Sequence, residues 1–304
     1  VNPLARTHRI ASTAAALLAL AATGVALPGT ARSQPISCPA VTVTTVATAT
    51  IPFADWAENL GFDAQGNLWV ARLYRNVVQR LDSAGRVTAT VPVASPGAIR
   101  LGPDHLLYVV YGDNSLNFLP GAHDSGVVRF DPTADAPVPE TFVNGLTMAN
   151  GAAFDPEGNL YIADTGKGVV RVRPDGTVDT QWSAQAELFG VNGLAVQGDS
   201  VYTTVYLTPQ GKLLRIPIAA PARRTTVMDT LLADDLTPGP DGYLYTATSS
   251  GTLLRTNPGT HASCPLLTAD PLSAVAPVPD SDRDLVLATG RGDVLRVHLD
   301  PQPA

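Results

Sequence analysis

Residues 150–178 read NGAAFDPEGNLYIADTGKGVVRVRPDGTV. A short apolar segment opens the stretch, an Asp-x-x-Gly turn follows at Asp155 to Gly158, and LYIAD resumes with aromatic and β-branched residues. Beyond a loop with two glycines, Val169-Val170-Arg171-Val172-Arg173 alternates with period two. Such alternation belongs to strands, and no amphipathic helix of any length competes with it. Related stretches begin at Glu58 (ENLGFDAQGNLWVARLYRNVVQRLDSAGRV), Asn192 (NGLAVQGDSVYTTVYLTPQGKLLRIPI) and Asp234 (DDLTPGPDGYLYTATSSGTLLRTNPGT). Two looser copies start at Pro96 (PGAIRLGPDHLLYVV) and Ser273 (SAVAPVPDSDRDLVLATGRGDVLRVHL).

Taking Glu58, Gly97, Asn150, Asn192, Asp234 and Val275 as equivalent, the spacings are 39, 53, 42, 42 and 41 residues. A period near forty, with short strands and Gly/Asp turns, is the pattern of propeller blades. The expected fold is all-β: a six-bladed β-propeller of four-stranded units. The long step carries an extra loop, Tyr111 to Ser125. The sixth copy ends soon after VLRVHLD and lacks an outermost strand. The alternating stretch Val41 to Ile51 (VTVTTVATATI) has no hairpin partner nearby. It is therefore expected to complete the last blade and hide two exposed edges.

The chain has 304 residues, of which 45% are hydrophobic and 15% charged, enough for a sizeable core. Net charge is −7, with no basic patch and only two lysines, Lys167 and Lys212, so nucleic acid is a poor partner. The Ala- and Arg-rich composition, with Val at position 1, fits a GC-rich bacterial gene. Arg6, His8 and Arg9 precede an apolar run, Ile10 to Leu27, and then small residues. This is the order of a secretory signal, with cleavage after Ala31 or Ser33; a retained anchor is the alternative reading. The expected organisation is a signal over 1–33 and one propeller domain over 34–304. The mature protein is expected outside the bacterial cytoplasm, off the membrane and monomeric, acting on a small molecule. Cys38 and Cys264 are the two cysteines, and in an oxidising compartment they are expected to pair. Closing so long a loop contributes about 4–5 kcal/mol.

The residue opening each innermost strand sits near one end of the central channel. Glu58, Asn150, Asn192 and Asp234 hold four of those six places, Asp235 adds a carboxylate beside Asp234, and Gly97 offers no side chain. Carboxylates and amide oxygens without a His/Cys cluster make an all-oxygen donor set. Hard divalent cations suit it, Ca²⁺ most of all. Asn and Asp are also common turn residues, which is the alternative for each position alone.

The series Glu58, Asn150 (ANG), Asn192 (VNG) and Asp234 (ADD) resembles the metal-ligand series of the senescence-marker-protein/gluconolactonase superfamily. That group includes paraoxonase-like lactonases and diisopropylfluorophosphatase-like phosphotriesterases. The sequence differs from the family pattern in having Asn59-Leu60 after Glu58, where Gly-Pro is usual. Ala149 and Val191 stand where a proline precedes each asparagine, and no His dyad can be placed. The resemblance implies a channel-bound divalent ion held by Glu58, Asn150, Asn192 and Asp234. It implies Asp234 as base or nucleophile, Asp235 as a further ligand or orienter, and hydrolysis of lactones or related esters. The inserted loop suits a substrate lid. Arg72, Tyr111, His123, Lys167 and Tyr206 are candidate pocket residues on loops of the same face. Two other readings stay open. The Asp-x-x-Gly-Asn-Leu-Tyr pattern is shared by non-catalytic NHL-type propellers, and strictosidine-synthase-like enzymes keep the ring without a channel metal.

Overall fold

The computed structural model describes residues 38–301, which lie within one compact unit, Gln34–Ala304. The expected leader over 1–33 lies outside the described residues. Six antiparallel sheets follow one another along the chain. Their innermost strands are Ala57–Phe62, Ile99–Leu101, Ala149–Phe154, Val191–Gln197, Ala233–Pro238 and Leu272–Pro277. Each packs against the innermost strands of the neighbouring blades, and that of blade 6 meets that of blade 1, so the ring closes. The core is divided accordingly into one apolar layer between each pair of neighbouring blades. Trp69 and Val78 meet Ile99 and Val109 between blades 1 and 2, and Tyr161 and Val169 meet Leu194 and Val201 between blades 3 and 4.

The seam forms as expected. Val41–Ala47 pairs antiparallel with Val294–Leu299, in a register running from Val41 opposite Leu299 to Ala47 opposite Val294. Strand structure stops at Ala47, short of Ile51. Cys38 is bonded to Cys264 on the outermost strand of blade 5, Ser263–Thr268. Among the described residues no helix is long and apolar enough to cross a membrane.

The expectation of a four-stranded unit fails in blade 3. Its sheet has three strands, Ala149–Phe154, Leu160–Asp164 and Gly168–Val172, followed by a helix, Thr180–Gln185. Asp179 starts the helix by accepting the Trp182 amide at 3.1 Å, and the Trp182 indole packs edge-on against Tyr161 at 5.1 Å. A capped turn with one large apolar anchor thus covers the edge that a fourth strand covers elsewhere.

The Asp-x-x-Gly turns do structural work in several blades. Asp63 Oδ1 accepts the Gln65 and Asn67 amides at 3.0 and 2.9 Å, and Oδ2 accepts the Trp69 indole N–H at 2.8 Å. Tyrosine hydroxyls repeat the contact, Tyr108 to Asp104 at 2.9 Å, Tyr161 to Asp155 at 3.1 Å and Tyr245 to Asp241 at 2.7 Å. The last turn position needs a left-handed backbone: Gly66 has φ +77° and Gly158 φ +83°, while His105 adopts φ +63° in blade 2. The aspartate ties its own turn to the strand that follows, six residues before the aromatic in blades 1 and 3 and four before it in blades 2 and 5, where it is the third residue of a Gly-Pro-Asp turn. Asp63→Ala leaves the buried Trp69 N–H and two amides without acceptors. It is expected to lower stability by about 1–3 kcal/mol; a urea midpoint equal to that of the native protein would show that the turn holds without it.

Candidate active site at the mouth of the channel

The innermost strands break register where the candidate residues stand. The irregularities fall between Ala57 and Asn59, Ala149 and Ala152, Val191 and Leu194, and Ala233 and Leu236. A bulge turns the strand locally and re-aims its side chain. The Asn-Gly pairs are therefore strand bulges here, not hairpin turns. Glycine follows each asparagine because the next blade comes too close for a side chain. A Cβ on Gly151 would lie 2.5 Å from the Asn192 carbonyl oxygen, and one on Gly193 2.3 Å from that of Asp234.

Two carboxyls, Glu58 and Asp113, share the Asn150 amide here, and a third, Asp234, lies near enough to feel their charge. Glu58 Oε1 accepts the Asn150 side-chain N–H at 3.1 Å, and Asp113 Oδ2 accepts the same Nδ2 at 2.9 Å. Glu58 Oε2 also accepts the Trp56 indole N–H at 2.6 Å. Asp234 Oδ2 accepts the Ser249 hydroxyl at 2.7 Å, and the Tyr206 hydroxyl donates to Ser249 Oγ at 3.3 Å. Burial pushes the Asp113 and Asp234 carboxyls well above the ordinary carboxylate range, and the nearby Glu58 charge adds to it. Burial also raises Glu58, against the opposing bonds from Trp56 and Asn150. Asn192 Oδ1 is buried without a hydrogen-bond partner.

Asp113 is the contribution that sequence reading did not assign to the ring. Blade 2 opens with Gly97, and a Cβ there would lie 2.8 Å from the Asn150 carbonyl oxygen. The inserted loop instead delivers a carboxylate from above, with the Asp113 amide bonded to the Ser95 carbonyl at 3.0 Å. The missing blade-2 donor, beside an unusually long loop carrying an aspartate two residues past the strand, was the available signal.

The other candidates divide. Tyr206 reaches the ring through Ser249. Tyr111 is half-buried at the base of the inserted loop, and His123 is exposed on that loop. The Lys167 ammonium is exposed and donates to the Gly145 carbonyl at 2.7 Å. Arg72 does not serve as a free pocket cation. Its buried guanidinium donates to the carbonyls of Asp55 and Gly292 at 2.9 and 2.6 Å and to Gln79 at 3.2 Å, clamping blade 1 to blade 6. Asp235 has its contacts in a second polar layer. Its Oδ2 accepts from Asn59 at 2.9 Å and from Arg100 at 3.4 Å, while Arg100 also donates to Asn59 Oδ1 at 2.9 Å. Asn59, which sets this sequence apart after Glu58, thus links three blades.

Among the described residues no three His, Cys, Asp or Glu side chains are grouped as a ready-made metal cluster. The donor chemistry nevertheless fits a hard cation. Glu58, Asp113 and Asp234 are oxygen donors whose charges repel, and Asn192 Oδ1 is an orphaned acceptor. Asn150 now turns its NH₂ to two carboxyls, and a half-turn of that amide would present Oδ1 instead.

The raised carboxyls set a pH dependence. A group whose folded pKa exceeds its unfolded value binds more protons in the native state, so stability falls as pH rises through the folded value. The window opens above the unfolded values of 3.8 for Asp and 4.5 for Glu. In chelator, the melting temperature is expected to be several degrees higher at about pH 5 than at about pH 7.5, and saturating Ca²⁺ to shrink the gap. A melting temperature that rises steadily from about pH 5 to about pH 7.5 in chelator would contradict this arrangement.

A closed ring of six blades with a polar, carboxyl-rich mouth defines a six-bladed β-propeller, the fold also found in gluconolactonase and regucalcin structures. No protein-family model matches the chain, and no curated protein matches it. Among solved structures, a gluconolactonase from Xanthomonas campestris is 15% identical over 87% of this chain and 96% of its own, with a TM-score of 0.67. The calcium-binding protein regucalcin from Agrobacterium tumefaciens is 15% identical over 84% and 96%, with a TM-score of 0.61. A PQQ-bound aldose sugar dehydrogenase from Streptomyces coelicolor is 19% identical over 87% and 100%, with a TM-score of 0.63. At such identities the likeness is one of fold, and different chemistries share it.

Proposed function

We propose that this protein is a secreted, monomeric hydrolase of lactones or related esters, dependent on a divalent cation, with Ca²⁺ the best match to its donors. The observation that carries the reading is the mouth itself: Glu58, Asp113, Asn150, Asn192 and Asp234 come from five successive blades, and one buried acceptor there, Asn192 Oδ1, has no partner. Oxygen donors alone, two of them amides, select a hard cation over zinc. The disulfide and the expected leader support export.

When bound, the ion would polarise the ester carbonyl. Glu58 would be its anchor on blade 1, held in orientation by the Trp56 N–H. Asn150 and Asn192 would supply neutral oxygens, and Asp113 a further carboxylate from blade 2. Asp234 would take the proton from water, or attack directly, while the Ser249 hydroxyl fixes the rotation of its carboxyl. Tyr206, bonded to Ser249, would steady that hydroxyl.

Calorimetry of the chelator-treated protein with Ca²⁺, Mg²⁺ and Mn²⁺, followed by a lactone and aryl-ester panel with and without EDTA, tests the reading. Tight Ca²⁺ binding with chelator-sensitive turnover is the expected result. Calcium binding with no turnover would make the propeller a ligand- or protein-binding scaffold. Turnover indifferent to EDTA would move it toward the metal-free enzymes.

A further inference from the structure

The inserted loop of blade 2 holds apolar side chains out into solvent. Phe118 is 40% exposed, Leu116 63% and Leu119 57%. The loop is nonetheless pinned. Asn117 is buried, donates to the Gly112 carbonyl at 2.8 Å and accepts the Asp124 amide at 3.3 Å, while Asn114 accepts the Leu116 amide at 3.0 Å. Phe118 meets Phe189 at 6.0 Å between ring centres, and Phe189 is 56% exposed. Next to Phe189, Gly190 lies against Leu207, whose Cβ would be 3.2 Å from a Cβ on the glycine, and Leu207 is 46% exposed. The result is an apolar crescent across blades 2, 3 and 4.

Along the chain, both ends of the crescent lead to the carboxyl ring. Phe118 shares its loop with Asp113, and Leu207 follows Tyr206, which connects through Ser249 to Asp234. At Phe189 it also borders a cavity of about 680 Å³, lined by Leu146, Val170, Val178 and Leu188 with Lys167 and Glu187 beside them, in the part of blade 3 that has a helix in place of a fourth strand. That volume is in the range of small-molecule sites. A net charge of −7, with two lysines on this face, Lys167 and an Asp229-paired Lys212, disfavours an anionic membrane as the occupant.

We infer that the crescent is a subsite for an alkyl arm of the substrate. The lactone or ester head would sit at the ring, and the chain would run over Phe118 and Phe189 toward the blade-3 cavity. This rests on the hydrolase reading and narrows it: hydroxylated sugar lactones would leave the apolar surface wet and be the poorer substrates.

A series of γ-butyrolactone, γ-octalactone and γ-dodecalactone, with glucono-δ-lactone beside it, tests the subsite on the calcium-loaded protein. The expected result is a kcat/KM rising at least about tenfold from the shortest to the longest chain, and a Phe118→Ala/Phe189→Ala variant that abolishes most of the rise. Both residues are exposed, so the variant keeps its fold, which circular dichroism checks. Equal rates along the series, or a preference for the sugar lactone, overturn the subsite and leave the hydrolase reading standing. If no lactone is turned over, the hydrolase reading falls, and calorimetric binding of dodecanoate decides the subsite alone. Tighter binding to the native protein than to the variant supports it, and equal or absent binding overturns it. Binding of anionic phospholipid vesicles that the variant loses would assign the crescent to a membrane surface and overturn it too.

Discussion

Asp234→Asn is expected to lower lactone hydrolysis by more than about a thousandfold while leaving the propeller folded. The side chain keeps its size, and the Ser249 hydroxyl can still donate to an amide oxygen, so packing is unchanged. What disappears is the negative charge. Asp234 is buried, and Glu58 and Asp113 are near enough to raise its pKa, so the ring without an ion is electrostatically frustrated. Neutralising one member therefore relieves repulsion and should raise the melting temperature of the chelated protein. On the proposed reading the same change should weaken Ca²⁺ binding, because a carboxylate becomes a neutral donor. Loss of turnover together with a gain in metal-free stability is a combination that general damage to the fold would not produce. Melting curves in EDTA, calcium calorimetry and lactone kinetics on one preparation read all three. Undiminished turnover would remove Asp234 from the chemistry altogether.

Sequence and structure agree where a single repeat carries the information, and part where contacts cross between repeats. The inner-strand places of Glu58, Asn150, Asn192 and Asp234 follow from counting along similar copies, and the bulges that aim them recur at the same point in each. The pairing of Val41–Ala47 with the last strand was legible because an alternating segment without a local partner must find one elsewhere. Asp113 was not, since its place in the ring depends on how a fifteen-residue insertion folds back, from Tyr111 to Ser125. Arg72 looked like a pocket cation because the loop it opens faces the mouth. Only the position of Gly292, 220 residues away, shows that its guanidinium is occupied. The Asn59–Arg100–Asp235 layer is hidden for the same reason, joining residues of blades 1, 2 and 5. Blade 3 departs from its siblings through Asp179 and Trp182, a capped turn too short to give a helical pattern.

Removal of residues up to Ala47 is expected to abolish cooperative folding. Blade 6 would be left with three strands, and Val294–Leu299 would present an unpaired edge from Val294 to Leu299. Two further ties sit at this seam: the Ala49 amide donates to Asp293 at 2.7 Å, and Arg72 donates to the Gly292 carbonyl at 2.6 Å. They hold the loops but cannot replace a ladder. Cys38→Ser with Cys264→Ser keeps the strand and frees only its anchor, so the variant should fold and lose about 4 kcal/mol, read from urea unfolding. The bridge closes a separation of 226 residues, nearly the whole described chain, so most of its effect falls on the unfolded state. It follows that reducing the disulfide of the native protein should lower its urea midpoint while leaving the calcium affinity proposed for the mouth largely unchanged. The ring mouth is built by the innermost strands, whereas the bridge joins outermost ones. A cysteine-free variant as stable as the native protein would mean that the strand ladder alone closes the propeller.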